Sequence, residues 1–175
     1  EGYKNFNDLI DTKLALYESI NRVNGTFFLN KDDSNIYNRC NIDSDKIISY
    51  SMYDIESNFT GNLSETDKSI ISINNNSFNV PYNTTAFAYN FLASYSIAVT
   101  LGVELKAIQE ILDHFKLPEG RGDYLEINTN IIINDSYNAN LESMISGIYQ
   151  LEYINIKKGK IILVLGDMLE LGKRS

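Results

Sequence analysis

Apolar and polar positions along this chain follow two rhythms, and the switches between them mark out the elements. Residues 6–20, FNDLIDTKLALYESI, place Phe6, Leu9, Ile10, Leu14, Tyr17 and Ile20 at helical spacing. GTFFLN (25–30) is a short apolar run ending in the polar turn NKDDSN, the pattern of a buried strand. KIISYSM (46–52), YDIESNFTG (53–61), SIISIN (69–74) and NSFNVPY (76–82) also read as strands. The last three suit a meander broken by Asn and Gly turns. TAFAYNFLASYSIAVTL (85–101) is apolar nearly all round, which predicts a buried helix, and Gly102 suits a left-handed cap. ELKAIQEILDHF (104–115) predicts a second, amphipathic helix.

In KLPEGRGDY, Pro118, Gly120 and Gly122 break regular structure within five residues. A boundary near 117–120 divides the chain into 1–118 and 119–175. Beyond it the expected order is strand 124–127, strand 131–135, helix 140–154 and strand 160–167. Strand–helix–strand with a strongly apolar strand predicts the start of a parallel α/β sheet. Ligands of such sheets bind beyond the carboxyl ends of strands. INDSYNAN (133–140) and GDMLELG (166–172) both fall there.

Composition narrows the classes. The chain has 175 residues, 43% hydrophobic and 22% charged, ordinary for a soluble globular protein. Its net charge is −8 and its basic residues form no stripe, which argues against a nucleic-acid partner. One cysteine, Cys40, excludes an internal disulfide and reads as an unpaired thiol in a reducing cytosol. The one histidine, His114, lies on an amphipathic stretch and reads as a helix-surface residue. No apolar run reaches the ~18 residues of a membrane span, and no signal-peptide pattern opens the chain. The abrupt ends, EGYKNFNDLI and ELGKRS, suggest a piece of a longer protein. The many asparagines read as a compositional bias.

The polar residues at 133–140 outnumber what one helix cap needs. A single Asp or Asn can cap and stabilise by about 1 kcal/mol. Asp135, at a strand tip, is also placed to accept from a pair of ribose hydroxyls. Tyr137 can lie against a base or close a pocket, and Asn138 and Asn140 offer carboxamides. Arg121, between two glycines, is either a solvated charge on a linker or a fork delivered to nucleotide phosphates. Lys13 reads by default as a surface lysine. The NKDD turn (30–33) is a tight turn whose acidic pair can bind a cation weakly. Asn90, in an apolar helix, reads as a carboxamide needing a partner inside the protein or on a ligand. No glycine-rich G-x-x-x-x-G-K-[ST] loop occurs.

The pattern GRG, then INDSYNANLESM, then LVLGDMLELGKRS resembles the Mur ligases of peptidoglycan synthesis. D-S-Y-N-A-N-x-x-S-M followed by L-G-D-M-x-E-L-G resembles most closely the member that adds D-alanyl-D-alanine (MurF type). FNDLIDTKLALYESI with GTFFLNKDD is similar to the family's central domain, and equally to the member that adds the third residue (MurE type). The resemblance covers essentially the whole chain. It implies an α/β fold: the end of a P-loop-type central ATPase domain (1–118) and the first half of a Rossmann-like C-terminal ligase domain (119–175).

The resemblance also implies a chemistry. ATP phosphorylates a carboxylate of a UDP-MurNAc-peptide, and an amine attacks the acyl phosphate. Positioning, Mg²⁺ and cationic groups meet the barrier. By position, Lys13 matches a carbamylated lysine that helps hold Mg²⁺, Asn90 an asparagine near adenine, and Arg121 a hinge arginine reaching ATP phosphates. Asp135 matches an aspartate on the ribose, and Tyr137 and Asn138 match residues near the nucleotide and the reacting centre. A cytoplasmic, monomeric ligase without nucleic-acid partner or membrane span is implied, the fragment alone being inactive. The sequence departs from the pattern at Ala86 and Phe87, where His/Phe and Asn are expected, and at Ala15, Asn134 and Leu141. A different acceptor, a degenerate non-catalytic nucleotide-binding relative, and a domain whose polar knot only caps a helix are the alternatives.

Overall fold

The computed structural model describes residues 5–40, 44–64, 69–82, 84–151 and 159–168. These form two compact units, Glu1–Phe115 and Lys116–Ser175. In the first unit, helix α1 spans Phe6–Arg22 and opens at Asn5, whose side chain accepts from Asp8 N–H. It buries Ile10 and Tyr17, and the Tyr17 ring meets Phe27 with centroids 5.5 Å apart. Strand β1 (Phe27–Asn30) leads into a one-turn helix, α2 (Ser34–Tyr37), where the sequence suggested only a turn.

Strands β2 (Ile47–Ser51), β3 (Phe59–Leu63), β4 (Ile70–Ile73) and β5 (Asn76–Asn79) complete a five-stranded sheet in the order β1-β2-β3-β4-β5. β1, β2 and β3 run parallel, whereas β3, β4 and β5 form the expected antiparallel meander. In β4 the alternation is exact in effect: Ile71 and Ile73 are fully buried and their neighbours are not. The expected strand over 53–61 begins only at Phe59. Ser51 Oγ accepts from both Tyr53 N–H and Asp54 N–H, which folds that stretch into a turn instead.

Helix α3 (Thr85–Thr100) packs on the sheet through Ala88, Phe91, Leu92 and Tyr95. The expectation that this helix is buried all round is corrected. Ala86, Asn90, Ser94 and Ile97 form an exposed face, so its apolar composition serves one side only. Gly102 has φ +82°, as its cap position requires. Helix α4 (Leu105–His114) adds Ile108 and Leu112 to the same core. Its Gln109 both donates to and accepts from the Asn79 backbone, at 3.0 Å each, which covers the edge of β5. His114 lies exposed in its last turn. Cys40 is free and half-buried, and burial pushes its thiol pKa up, away from nucleophilic activation.

In the second unit β6 (Asp123–Ile127) and β7 (Asn130–Asn134) pair antiparallel, with Ile127 opposite Asn130. The connection is two residues long, and its Asn128 takes φ +56°. Asn24 and Asn74 also adopt positive φ in turns, so three of the asparagines serve geometry. Helix α5 spans Leu141–Leu151. The expected parallel strand–helix–strand unit is corrected: β7 pairs with β6, and residues 160–168 form no strand. An apolar run becomes a strand only where an edge accepts it. Here Ile162 and Val164 are 80% and 91% exposed. The rest of the expected helix 140–154 and of GDMLELG lies outside the described residues.

Candidate functional site

The residues singled out between 120 and 140 converge because two loops are bonded to each other. Gly120 is buried with φ +77°, and Gly122 has φ +83°. These conformations suit glycine and few other residues. The Gly120 carbonyl accepts from Tyr137 N–H at 2.9 Å, and Gly122 N–H donates to the Asn134 carbonyl at 2.8 Å. Asp123 Oδ1 accepts from Gly120 N–H at 2.5 Å. A methyl group on Gly120 would lie 3.1 Å from Tyr137 N, so the close approach itself needs glycine.

This bonding sets Arg121 over Tyr137, with the guanidinium carbon 3.8 Å from the ring centroid. Such a stack contributes about 0.5–1 kcal/mol at an exposed site. Both residues remain exposed. The sequence left Arg121 open between a linker charge and an anion ligand; the structure fixes it to a strand tip with its edge toward solvent.

Asp135 follows β7 and is exposed. Its Oδ2 lies close to Gly147 of α5, where an added methyl group would come within 3.6 Å, an ordinary contact. Asn138 Oδ1 accepts from Ala139 N–H at 2.8 Å, which occupies the carboxamide oxygen locally and leaves its NH₂ as the outward donor. Asn140 is the cap. Its Oδ1 accepts from Ser143 N–H at 2.8 Å, and Ser143 Oγ accepts from Asn140 N–H at 3.1 Å, a reciprocal capping box. The polar stretch therefore divides into one helix cap and several outward groups.

The first unit holds the other expected residues. Lys13 is exposed on α1. Asn90 is exposed on α3, which corrects the expectation that it lies in an apolar interior. One turn earlier, Ala86 is exposed and Phe87 is half-buried. The Phe87 ring contacts Tyr82, Phe91 and Phe115 with centroids 5.8, 6.3 and 5.6 Å apart. Phe87 is thus committed to packing.

A polar hub that sequence reading missed joins the carboxyl ends of β1 and β2. Asp32 accepts from Ser51 Oγ at 2.5 Å, Met52 N–H at 2.7 Å and Tyr89 Oη at 2.8 Å. Burial, then the bond to Asp32, pushes the Tyr89 phenol pKa far up. Beside it Lys31 pairs with Asp54; their hydrogen bond raises the lysine pKa and lowers that of the carboxyl. The acidic pair of NKDD was visible in the sequence, but its second member, Asp33, caps α2 through Asn35 N–H. Nothing local announced Tyr89. Among the described residues no group of three His, Cys, Asp or Glu side chains is arranged to hold a metal ion.

No family profile matches the chain. It is 31% identical over 180 aligned residues to a UDP-N-acetylmuramoyl-tripeptide–D-alanyl-D-alanine ligase of Buchnera aphidicola subsp. Baizongia pistaciae, covering 98% of this chain and 38% of that protein. It is 36% identical over 87 residues to the Escherichia coli K12 protein of that name, covering 49% and 19%. A coenzyme F(430) synthetase of Methanosarcina acetivorans is 35% identical over 91 residues, covering 49% and 19%. Among solved structures, MurF from Acinetobacter baumannii superposes with a TM-score of 0.56 at 18% identity, covering 73% of this chain and 29% of that one. The fold is accordingly that of the corresponding part of MurF. The chain spans well under half the length of these relatives.

Proposed function

We propose that the chain, similar through almost its whole length to a MurF-type ligase, belongs to the Mur ligase family and is part of an ATP-dependent ligase joining D-alanyl-D-alanine to a UDP-MurNAc-peptide in peptidoglycan synthesis. The observation that carries the nucleotide half of this reading is the Arg121 guanidinium held on Tyr137, two residues after the exposed Asp135. A fork and a carboxylate on two bonded loops suit phosphates and a ribose diol respectively. The acceptor half rests on the Buchnera relative, whose similarity runs through almost the whole chain.

In this reading Glu1–Phe115 is the end of the central ATP-binding domain and Lys116–Ser175 the beginning of the C-terminal domain. ATP supplies the phosphoryl group that converts the acceptor carboxylate to an acyl phosphate; amine attack then expels phosphate and leaves the amide. Arg121 donates to phosphate oxygens, Asp135 accepts from the ribose, and Asn138 presents its NH₂ toward the reacting end. Tyr137 borders the nucleotide, and Asn90, exposed on α3, reads the base edge. The His/Asn contact of the family pattern is absent, since Ala86 has no donor and Phe87 is packed. Among the described residues no group of three His, Cys, Asp or Glu side chains is arranged to hold a metal ion, whereas Mg²⁺ at a nucleotide needs only about one or two protein ligands beside the phosphates. Lys13, if carbamylated, would add one ligand, and no step is derived through the ion. A cytoplasmic monomer fits this role; no described helix is long and apolar enough to cross a membrane.

A second reading is a ligase of the same chemistry with another acceptor, favoured by the coenzyme F(430) synthetase, which matches nearly half of the chain at 35% identity. The test is phosphate release by the full-length protein with Mg²⁺-ATP, UDP-MurNAc-tripeptide and D-alanyl-D-alanine, the last replaced by meso-diaminopimelate or L-lysine (with UDP-MurNAc-dipeptide) in parallel. Turnover only with D-alanyl-D-alanine is expected, and Asp135→Ala or Lys13→Ala should lower it by orders of magnitude. Turnover with a different acceptor overturns the substrate assignment. Absence of ATP binding overturns the enzyme.

A further inference from the structure

We propose that Asp123 and Tyr137 are positioning residues for Arg121, holding its guanidinium preset for the phosphates of a nucleoside triphosphate. The phosphate part rests on the nucleotide reading above; the positioning part stands on geometry alone. An arginine between two glycines on a free loop would sample many directions, and fixing it on a ligand would cost conformational entropy at the moment of binding. Here that freedom is already removed. Asp123 accepts from Gly120 N–H at 2.5 Å and closes the turn on one side of Arg121. Gly122 N–H, bonded to the Asn134 carbonyl, closes it on the other.

The Gly120 carbonyl then takes Tyr137 N–H, which brings the ring under the guanidinium at 3.8 Å. Ring stacking holds the plane of the fork without consuming any of its N–H donors, so they stay available for an anion. A carboxylate in the place of the ring would have taken them. Asp123 supplies its negative charge to a backbone N–H and leaves the fork unneutralised: among the described residues Arg121 enters no ion pair.

Two readouts on the full-length protein test this. In ¹⁵N-labelled protein the Arg121 Nε–H signal, assigned by its loss in Arg121→Lys, should be shifted upfield by the ring current of Tyr137. The shift should persist in Tyr137→Phe and in Asp123→Asn, whose amide oxygen still accepts from Gly120. It should collapse in Tyr137→Leu and in Asp123→Ala. Mg²⁺-ATP titration should be weaker by about two- to fivefold in the last two variants, the size of one exposed cation–ring contact, with Asp123→Asn recovering most of the loss. A shift that survives Asp123→Ala overturns the role of Asp123. A shift that collapses with ATP affinity unchanged overturns positioning toward phosphate. Wild-type protein that keeps the shift and binds no ATP overturns the nucleotide reading and leaves the loop geometry standing.

Discussion

Tyr89, in the middle of α3, donates its phenol hydrogen to Asp32 Oδ2 at 2.8 Å, tying the helix to the turn after β1. The same carboxylate holds Ser51 and the Met52 amide at the end of β2. Three segments distant in sequence thus share one charge, and the sheet end that faces the parallel-strand tips is fixed by it.

Removing one donor from that carboxylate leaves a half-buried charge short of a partner. Tyr89→Phe is expected to destabilise the first unit by about 1–3 kcal/mol. Urea unfolding followed by tyrosine fluorescence or circular dichroism measures it. A loss below the error of the midpoint would mean that water replaces the phenol without cost.

The same bond gives a sign to the alkaline limb of stability. The Tyr89 phenol pKa is raised in the fold by burial and by Asp32, and those of Tyr50 and Tyr95 are raised chiefly by burial. A raised folded pKa means that the folded state holds its proton more tightly. The stabilisation is therefore complete below the unfolded value, about 10, and disappears as pH climbs through the folded values. Urea midpoints should fall between pH 9 and pH 11, and fall less steeply in Tyr89→Phe.

Gly120→Ala is expected to damage the second unit twice. The left-handed backbone costs an L-residue about 1–2 kcal/mol, and the added methyl would sit 3.1 Å from Tyr137 N. Amide exchange should accelerate at Tyr137 and along β7, and the Arg121–Tyr137 stack should open. Unchanged exchange at Tyr137 would contradict the packing described for this turn.

Asn140→Ala removes the cap of α5 and should cost about 1 kcal/mol. The loss should appear as faster exchange at the Ser143 and Met144 amides, which bond to the Asn140 side chain and carbonyl respectively. Asn140→Asp should retain most of the protection, since a carboxylate caps equally well.

Much of this arrangement was legible in the sequence where the signal was local. The periodicities of 6–20, 69–82 and 104–115 fixed α1, the meander and α4, because period and turn residues agree there. The density of polar groups at 133–140 marked a candidate site, and the bonds between Asn140 and Ser143 separate the cap from it. The rest depended on contacts between remote segments. That YDIESN turns instead of extending was hidden in the Ser51 hydroxyl. The exposure of Asn90 follows from which stripe of α3 meets the sheet, and a uniformly apolar helix does not reveal its stripe. Strand pairing in the second unit failed as an expectation because an apolar run states that it wants an edge and not which one it finds. Family resemblance alone suggested a role for Lys13, whereas for Arg121 it favoured one of the two readings its flanking glycines left open.

Residues 161–165, IILVL, are uncharged and exposed, with no strand pairing among the described residues. Such a segment is a template for intermolecular β-pairing. In this stretch of chain taken by itself, which spans well under half the length of its relatives, self-association should therefore rise with concentration and be blunted by Val164→Lys.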